Sequence, residues 1–488
     1  MPARRPSRPS RKPHARQNRR RKSAPVQKPK PPEPTVRLAV LELLERYQST
    51  GTLVRDQLKT SKLPAELLSQ AAHWTERLIQ RRRTIEAVLA ECVKRPADQV
   101  ELRLRLILLT GANELLFGPE SSFHAAISET VNLCRLVGKP EWTGFVNGVL
   151  RGVQRLLTDQ EQSEPGSNAY PLEEGRYRKI NQDLFPDPTR HLQSYLTVAF
   201  SLPDAAIREW SKRYAPDVLW QLCWASLQGT PLHVRINRLA TTVEEWLEKC
   251  AAAQLDVTRI DNSTSVRVNQ KIRISELPGY ESGEFVVQDL TATAAAAMLN
   301  PYPGSRVLDL CAGPGTKTTQ LAELMLDRGN LIACEVSESR LNQISENCER
   351  LGLTCISPLL IDRQEPQIEG EPFDAILVDA PCSNTGVLGK RPEARWRYSI
   401  KELHELNEIQ MRLLDTAARL LAPEGQLVYS TCSIEPKENE QLIERWLEQH
   451  PDFQVVDSKA MLPDGCQDGG YCVRLEKRLE DENGSDTV

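Results

Sequence analysis

Val307-Leu-Asp-Leu-Cys-Ala-Gly-Pro-Gly-Thr-Lys317 decides the architecture. An apolar run ends in a turn with two glycines, and a helical pattern over Thr318–Leu326 follows. Strand, glycine turn and helix form the ligand-binding corner of an open α/β sheet, where glycines such as Gly313 and Gly315 let the backbone approach a ligand closely. The third glycine of the dinucleotide fingerprint is missing, as is the full spacing of a P-loop, so neither motif is matched.

Downstream, strand-like and helix-like runs alternate. Leu331–Val336, Ile356–Ile361, Ile376–Val378 and Leu427–Tyr429 read as strands. Ser339–Leu351, Leu403–Leu421 and Asn439–Glu448 read as helices. This succession predicts a doubly wound, mostly parallel sheet with helices on both faces, closed by antiparallel edge strands at Phe453–Val456 and Tyr471–Leu475. Chemistry in such a sheet gathers at the C-terminal strand ends. There the chain offers the glycine loop, then Glu335 (20 residues beyond Gly315), Asp362 and Asp379. An acid at one strand end is usually a cap, but this series favours a pocket for a nucleoside bearing an amine.

Two cysteines complete the series. Cys382 follows Asp379-Ala-Pro, and Cys432 follows the apolar run Gly425-Gln-Leu-Val-Tyr-Ser-Thr431. Paired thiols beside a nucleoside pocket suggest covalent chemistry on a base. The C5 of cytosine becomes nucleophilic only after a thiolate adds to C6. That task needs a thiol of lowered pKa, an acid or hydrogen-bond donor at the base edge, and a methyl donor within reach. Acyl transfer or disulfide exchange would want a histidine partner or a CxxC, and none of the seven histidines lies in these motifs. Spacing alone leaves open which cysteine attacks.

The 488 residues allow several domains, and 40% apolar with 26% charged residues is ordinary for a globular protein. The sequence has no membrane-length apolar run, no signal-peptide core and no zinc spacing among its twelve cysteines, so a cytoplasmic protein without metal is expected. The net charge of -4 is uneven. Residues 1–32 hold twelve Lys/Arg and no acid, leaving 50 basic against 66 acidic residues in the rest. Prolines throughout residues 1–34 predict a disordered basic tail able to add sequence-independent affinity for RNA.

Residues 35–160 show helical periodicity at Val36–Tyr47, Leu67–Lys94, Val100–Leu116, Phe123–Val137 and Phe145–Leu157. Residues 161–187 lack periodicity and are expected to be a linker. Residues 188–278 mix helices (Pro203–Gln228, Val243–Ala253) with alternating strands at Pro231–Asn237 and Ser265–Val268, a small α+β domain. Arg235 and Asn237 on the first of these strands could touch RNA or face solvent, and taken alone the pattern favours solvent. Residues 279–478 are the α/β domain, and residues 479–488 an acidic tail.

The helical head, with Phe145-Val-Asn-Gly-Val-Leu-Arg151 as its most telling stretch, resembles the antiterminator NusB family. The stretches LDLCAGPGTKT, ACEVSESRL, LLIDR, VDAPCSNTG and YSTCSIEPKENE resemble the RNA cytosine-C5 methyltransferase family, in its bacterial ribosomal-RNA branch (RsmB, Sun or Fmu). The resemblance implies a multidomain enzyme: an all-α NusB-like bundle, a small α+β RNA-binding domain and a Rossmann-like class I methyltransferase domain. It also implies S-adenosyl-L-methionine as methyl donor, 16S ribosomal RNA as partner and a monomeric protein. Position by position, Cys311, Ala312, Gly313, Pro314, Gly315, Thr316 and Lys317 would form the S-adenosylmethionine loop. Glu335 would hold the ribose, Asp362 the adenine side, and Asp379 the methionine end or the target base. Cys432 would be the nucleophile and Cys382 would assist release of the product. The chain departs from the family pattern at Asn384, where glycine is common, at 464–471, and in its basic arm.

Overall fold

The computed structural model describes residues 35–59, 61, 63–362, 368 and 370–478. The readings of the basic and acidic tails lie outside the described residues.

The head is a bundle of helices Val36–Thr50, Val54–Lys59, Ala65–Gln80, Arg82–Cys92, Leu102–Phe117, Phe123–Leu136 and Thr143–Leu156. Leu102–Phe117 is its axis: every residue from Leu106 to Leu116 is buried, mostly apolar, and the other helices wrap it. The run expected as one helix from Leu67 to Lys94 breaks at Arg81, the residue between the two helices. Its buried guanidinium donates to the carbonyls of Pro171 and Leu172 at 2.7 and 3.0 Å.

Those carbonyls belong to a segment expected to be a linker, and the structure corrects that reading. Leu157–Gln162, Ala169–Glu173 and Arg176–Ile180 form a three-stranded antiparallel sheet. Its inward anchors are the buried Tyr170 and Tyr177, Tyr170 against the head with Oη donating to Leu116 O at 2.7 Å and Tyr177 against Trp224. The remaining strand residues are largely polar and outward, which hid the alternation.

The next three helices, Leu192–Ala199, Asp204–Arg213 and Pro216–Leu227, correct the boundary at residue 188. Phe200, Trp210 and Trp224 lie in the same apolar core as the head, not with the sheet that follows. The helix expected over Pro203–Gln228 is two helices, because Pro216 can begin a helix but not continue one. The small sheet itself has strand order Val257–Arg259, Ser265–Val268, Leu232–Ile236, Phe285–Val287, covered by helix Val243–Ala252 around Trp246. Its last strand lies beyond the expected boundary at 278.

The third unit is the expected doubly wound sheet. Seven strands run in the order Ile356–Leu360, Asn330–Glu335, Arg306–Asp309, Phe373–Asp379, Leu421–Thr431, Gly470–Lys477, Phe453–Met461. The first five are parallel and the last two antiparallel. Helices Ile400–Leu420 and Glu440–Gln449 bury Leu414, Ala417, Leu442 and Trp446 against one face. Helices Leu290–Leu299 and Thr316–Leu324 bury Ala296, Leu299 and Leu321 against the other. All five parallel strands therefore point their C-terminal ends to one rim.

Arg235 and Asn237 do not face solvent. The second face of their strand is covered by the large domain, and both residues are buried. Arg235 Nε donates to Gln288 Oε1 at 2.7 Å, Nη2 to Thr319 Oγ1 at 3.1 Å, and Nη1 pairs with Glu323. Asn237 Nδ2 donates to Gly283 O at 2.9 Å. The Arg235 bonds to Thr319 and Glu323 join the two units, whereas the Asn237 bond lies within the small one, on the segment leading into Phe285–Val287.

Candidate active site

The loop after strand Arg306–Asp309 turns tightly: Gly315 N donates to Ala312 O at 2.7 Å, and Gly315 has φ +102°, a conformation that favours glycine. Ala312 N donates to Cys334 O at 2.9 Å, pinning the loop to the neighbouring strand. At the end of that strand, Glu335 lies on the loop. A Cβ on Gly313 would sit 2.0 Å from Glu335 Oε2, so only glycine admits the carboxylate here. Glu335 Oε1 accepts Val336 N and Ser337 N at 2.8 and 3.0 Å, whereas Oε2 has Arg340 Nη1 only at 3.9 Å. An acceptor oxygen thus faces the loop. Cys311 is half-buried, Pro314 is exposed, and Thr316 begins the following helix. Asp362, two residues past strand Ile356–Leu360, is exposed at the same rim.

Lys317 reaches back from that helix. Its Nζ donates to Asp379 Oδ2 at 2.6 Å, and Ser430 Oγ donates to Asp379 Oδ1 at 2.8 Å. Burial alone would lower the Lys317 pKa, but the Asp379 carboxylate more than offsets it and the net shift is upward. Beneath this pair, Asp309 is buried with one oxygen on Thr318 Oγ1 at 2.7 Å and the other without a partner. Burial pushes its carboxyl up to about 7.

The cysteines are joined at the tips of adjacent strands. Asp379 and Ser430 are register partners, and Ala380 N donates to Ser430 O at 2.9 Å. This brings Cys382 Sγ to 3.3 Å from Cys432 Sγ. Cys382 is buried and Cys432 is the more accessible. Sharing one hydrogen between them splits their acidities. The contact with Cys382, aided by the cations of Arg391 and Lys317, lowers Cys432 against the effect of burial; the same contact, with burial, raises Cys382 well above the usual thiol. When protonated, Cys432 donates to Asn384 Oδ1 at 3.2 Å; when ionised, it accepts from Cys382.

Asn384 explains its own departure from glycine. Its φ is +60°, in the left-handed region that asparagine tolerates better than other side chains. Its Nδ2 donates to Cys382 O at 2.7 Å and its Oδ1 accepts from Arg391, so the amide is fixed between the two thiols and a cation. The 464–471 stretch also gains a place. Lys390 Nζ bridges Asp468 and Asp289 at 2.9 Å each, and Gly469 N donates to Gly386 O at 2.8 Å, closing the wall beside Cys432. Sequence reasoning marked Asn384 only as a departure from the family pattern and missed Arg391 and Asp309 as parts of the site. A polar residue replacing a turn glycine was the only available signal, and it pointed to Asn384.

Comparison with known proteins agrees with this geometry. Residues 296–478 match the family described as 16S rRNA methyltransferase RsmB/F, and residues 34–155 match the NusB family. The chain is 29% identical over 432 residues to ribosomal RNA small subunit methyltransferase B of Yersinia pseudotuberculosis, covering 88% of this chain and 92% of that one. Among solved structures, the crystal structure of PH0851 superposes with a TM-score of 0.70 at 24% identity, covering 92% of this chain and all of that one. NSun6 from Pyrococcus horikoshii, solved with SFG, gives a TM-score of 0.51 at 18% identity over 56% of this chain and 97% of that one. Glycine loop, strand-end acids and paired cysteines therefore belong to an rRNA methyltransferase, whose catalytic domain matches the RsmB/F family of 16S rRNA methyltransferases and whose head matches the NusB family.

Proposed function

We propose that this enzyme methylates C5 of a cytosine in 16S rRNA, with Cys432 as the covalent nucleophile and S-adenosylmethionine as the methyl donor. The observation that carries the reading is the 3.3 Å approach of the Cys382 and Cys432 sulfurs beside the glycine loop and Asp379. The residues fit the donor. Glu335 Oε2, lodged where a Gly313 side chain would be, offers an acceptor for ribose hydroxyls, and residues 311–317 cradle the rest, with Asp362 toward the adenine side. S-adenosylmethionine supplies an electrophilic methyl on a sulfonium.

The chain's own residues do the remainder. Cys432, accessible and lowered in pKa, forms the Sγ–C6 bond, which makes C5 nucleophilic. Asp379, held by Lys317 and Ser430, presents a carboxylate to the methionine end of the donor or to the polar edge of the base. After C5 has gained the methyl, water takes its proton, the C–H electron pair reforms the C5=C6 bond, and the Sγ–C6 bond breaks with Cys432 leaving as the thiolate. Cys382, protonated and 3.3 Å away, assists that release. The target base must leave its stack to reach a thiol at the strand tips.

Methyl incorporation from labelled donor into deproteinised 16S rRNA, compared with bulk tRNA, tests the substrate; labelling of tRNA alone would sink it. Cys432→Ala should abolish transfer while RNA binding persists. Cys382→Ser should accumulate an RNA–protein adduct that survives a denaturing gel. If Cys432→Ser traps the adduct instead, the two roles are reversed.

A further inference from the structure

We propose that Glu438 is a positioning residue that holds the Cys382 and Cys432 loops together, so that the two sulfurs stay in reacting contact. The inference rests on the cysteine roles given above and adds the group that sets their separation. Glu438 lies six residues beyond Cys432 and is fully buried. Its carboxylate accepts four hydrogen bonds. Oε1 takes Ser383 N at 2.9 Å and Gln410 Nε2 at 3.1 Å; Oε2 takes Ser383 Oγ and Ser433 Oγ at 2.5 Å each.

Ser383 directly follows Cys382 and Ser433 directly follows Cys432. One carboxylate thus grips the residue after each thiol. Gln410 extends the grip, since its Nε2 also donates to Pro381 O at 2.9 Å, on the other side of Cys382. Glu438 is itself anchored through its carbonyl, which accepts Tyr429 Oη at 2.8 Å from the Cys432 strand.

Burial raises the Glu438 carboxyl, and the four donors pull against that rise by favouring the ionised form, in which all lone pairs are acceptors. A buried charge of this kind is tolerated only because it is so fully hydrogen-bonded. Its placement has a chemical consequence as well. The negative charge of Glu438 adds to the contact with Cys432 and to burial in opposing ionisation of Cys382, which favours the shared hydrogen there and the thiolate on Cys432. Glu438 touches neither thiol; it acts through the serines.

The test is Glu438→Gln in the full chain, which removes the charge and keeps the shape. The expected result is a fall in kcat of about 100-fold, the scale of a 1 Å misplacement of reacting groups, with KM for S-adenosylmethionine and for 16S rRNA within about threefold of the parent. Alkylation of Cys432 by iodoacetamide, followed by mass spectrometry of its peptide, should slow about tenfold as its thiolate fraction falls. A folded Glu438→Gln protein with parental kcat and parental Cys432 alkylation overturns the proposal. If Glu438→Gln does not fold, the Ser383→Ala/Ser433→Ala double variant decides, because it removes both hydroxyl arms and leaves the carboxylate. A loss in kcat of at least about tenfold supports the clamp, and a parental kcat overturns it. Cys432→Ala is measured alongside. Retained methyl transfer there refutes the nucleophile assignment itself, whereas an inactive Cys432→Ala beside a fully active Glu438→Gln refutes the clamp alone.

Discussion

Gly386→Ala should damage catalysis far more than its single methyl suggests. A Cβ at Gly386 would sit 2.4 Å from Gly469 O, 2.6 Å from Gly469 C and 2.9 Å from Cys432 O. All three are backbone atoms, so no side chain can swing aside. Gly386 does not lie at positive φ, and alanine meets no conformational penalty there; the cost is steric alone. Ordinary contact begins near 3.4 Å, so the Gly469 segment or the Cys432 tip must retreat by about 1 Å. Overpacking of this kind costs about 1–3 kcal/mol of stability. The larger effect is on rate: Gly386 N donates to Cys432 O at 3.1 Å, so the displacement reaches the carbonyl of the proposed nucleophile. A shift of that size predicts a loss in kcat of about 100-fold. Methyl transfer to 16S rRNA measured below the melting transition, together with a thermal melt, separates the two effects. A folded variant with parental kcat would refute the placement of Gly386 against Cys432.

Two further substitutions probe buried charge. Asp309, raised to about 7 by burial, binds more protons folded than unfolded between about pH 4 and 7, so its contribution to stability falls as pH rises through that window. Asp309→Asn should flatten the pH dependence of Tm there, though only in part, because Glu435 is also raised to about 7 and contributes with the same sign; an unchanged slope would refute the assignment. Arg235→Met leaves Glu323 buried without its cation and should cost roughly 3–5 kcal/mol, most of it recovered in the Arg235→Met/Glu323→Leu double variant. Chemical denaturation of the two variants checks the coupling.

The parallel sheet was legible because each strand is an apolar run closed by a turn, a pattern that survives whatever packs around it. The rim followed from the same runs: Glu335 and Asp379 are the last residues of their strands, and Cys382 and Cys432 lie just beyond two neighbouring ones. Residues whose role depends on another unit were not legible. Alternation correctly put Arg235 on the face opposite Val234, but covering of that face by helix Thr316–Leu324 is a tertiary fact. Residues 157–180 failed for a related reason: two tyrosines anchor the sheet, and only their contacts with Phe117 of the head and Trp224 of the later helices distinguish them from tyrosines in a linker. Glu438 sits among charged residues in Lys437-Glu-Asn-Glu440, and nothing local marks it as the buried one.

The head and the catalytic unit are one structural body around the site, and this predicts the fate of a truncated protein. Ile434, two residues from Cys432, belongs to the apolar core of the helical region, as do Leu388 and Ala394 beyond Cys382. Trp210 Nε1 donates to Glu435 Oε1 at 2.7 Å across the same boundary, and Tyr398 Oη donates to Oε2 at 2.9 Å. Arg395 is buried and donates to the carbonyls of Gln80 and Ser226 at 2.8 Å each, and Trp396 Nε1 donates to Ile79 O at 2.8 Å. Removing residues 1–278 would expose Ile434, Leu388 and Ala394 and strip Arg395 and Trp396 of these acceptors. It would also leave Glu435 without one of its donors. Buried polar groups left unsatisfied cost about 1–3 kcal/mol each, and several would be freed at once beside the two cysteines. Residues 279–478 expressed alone should therefore show increased protease sensitivity over 382–398 and 432–438, and methyl transfer even to a short RNA substrate should be lost. Limited proteolysis read by mass spectrometry checks the first outcome. A fully active isolated fragment would show that the head contributes RNA affinity alone and has no part in holding the thiols.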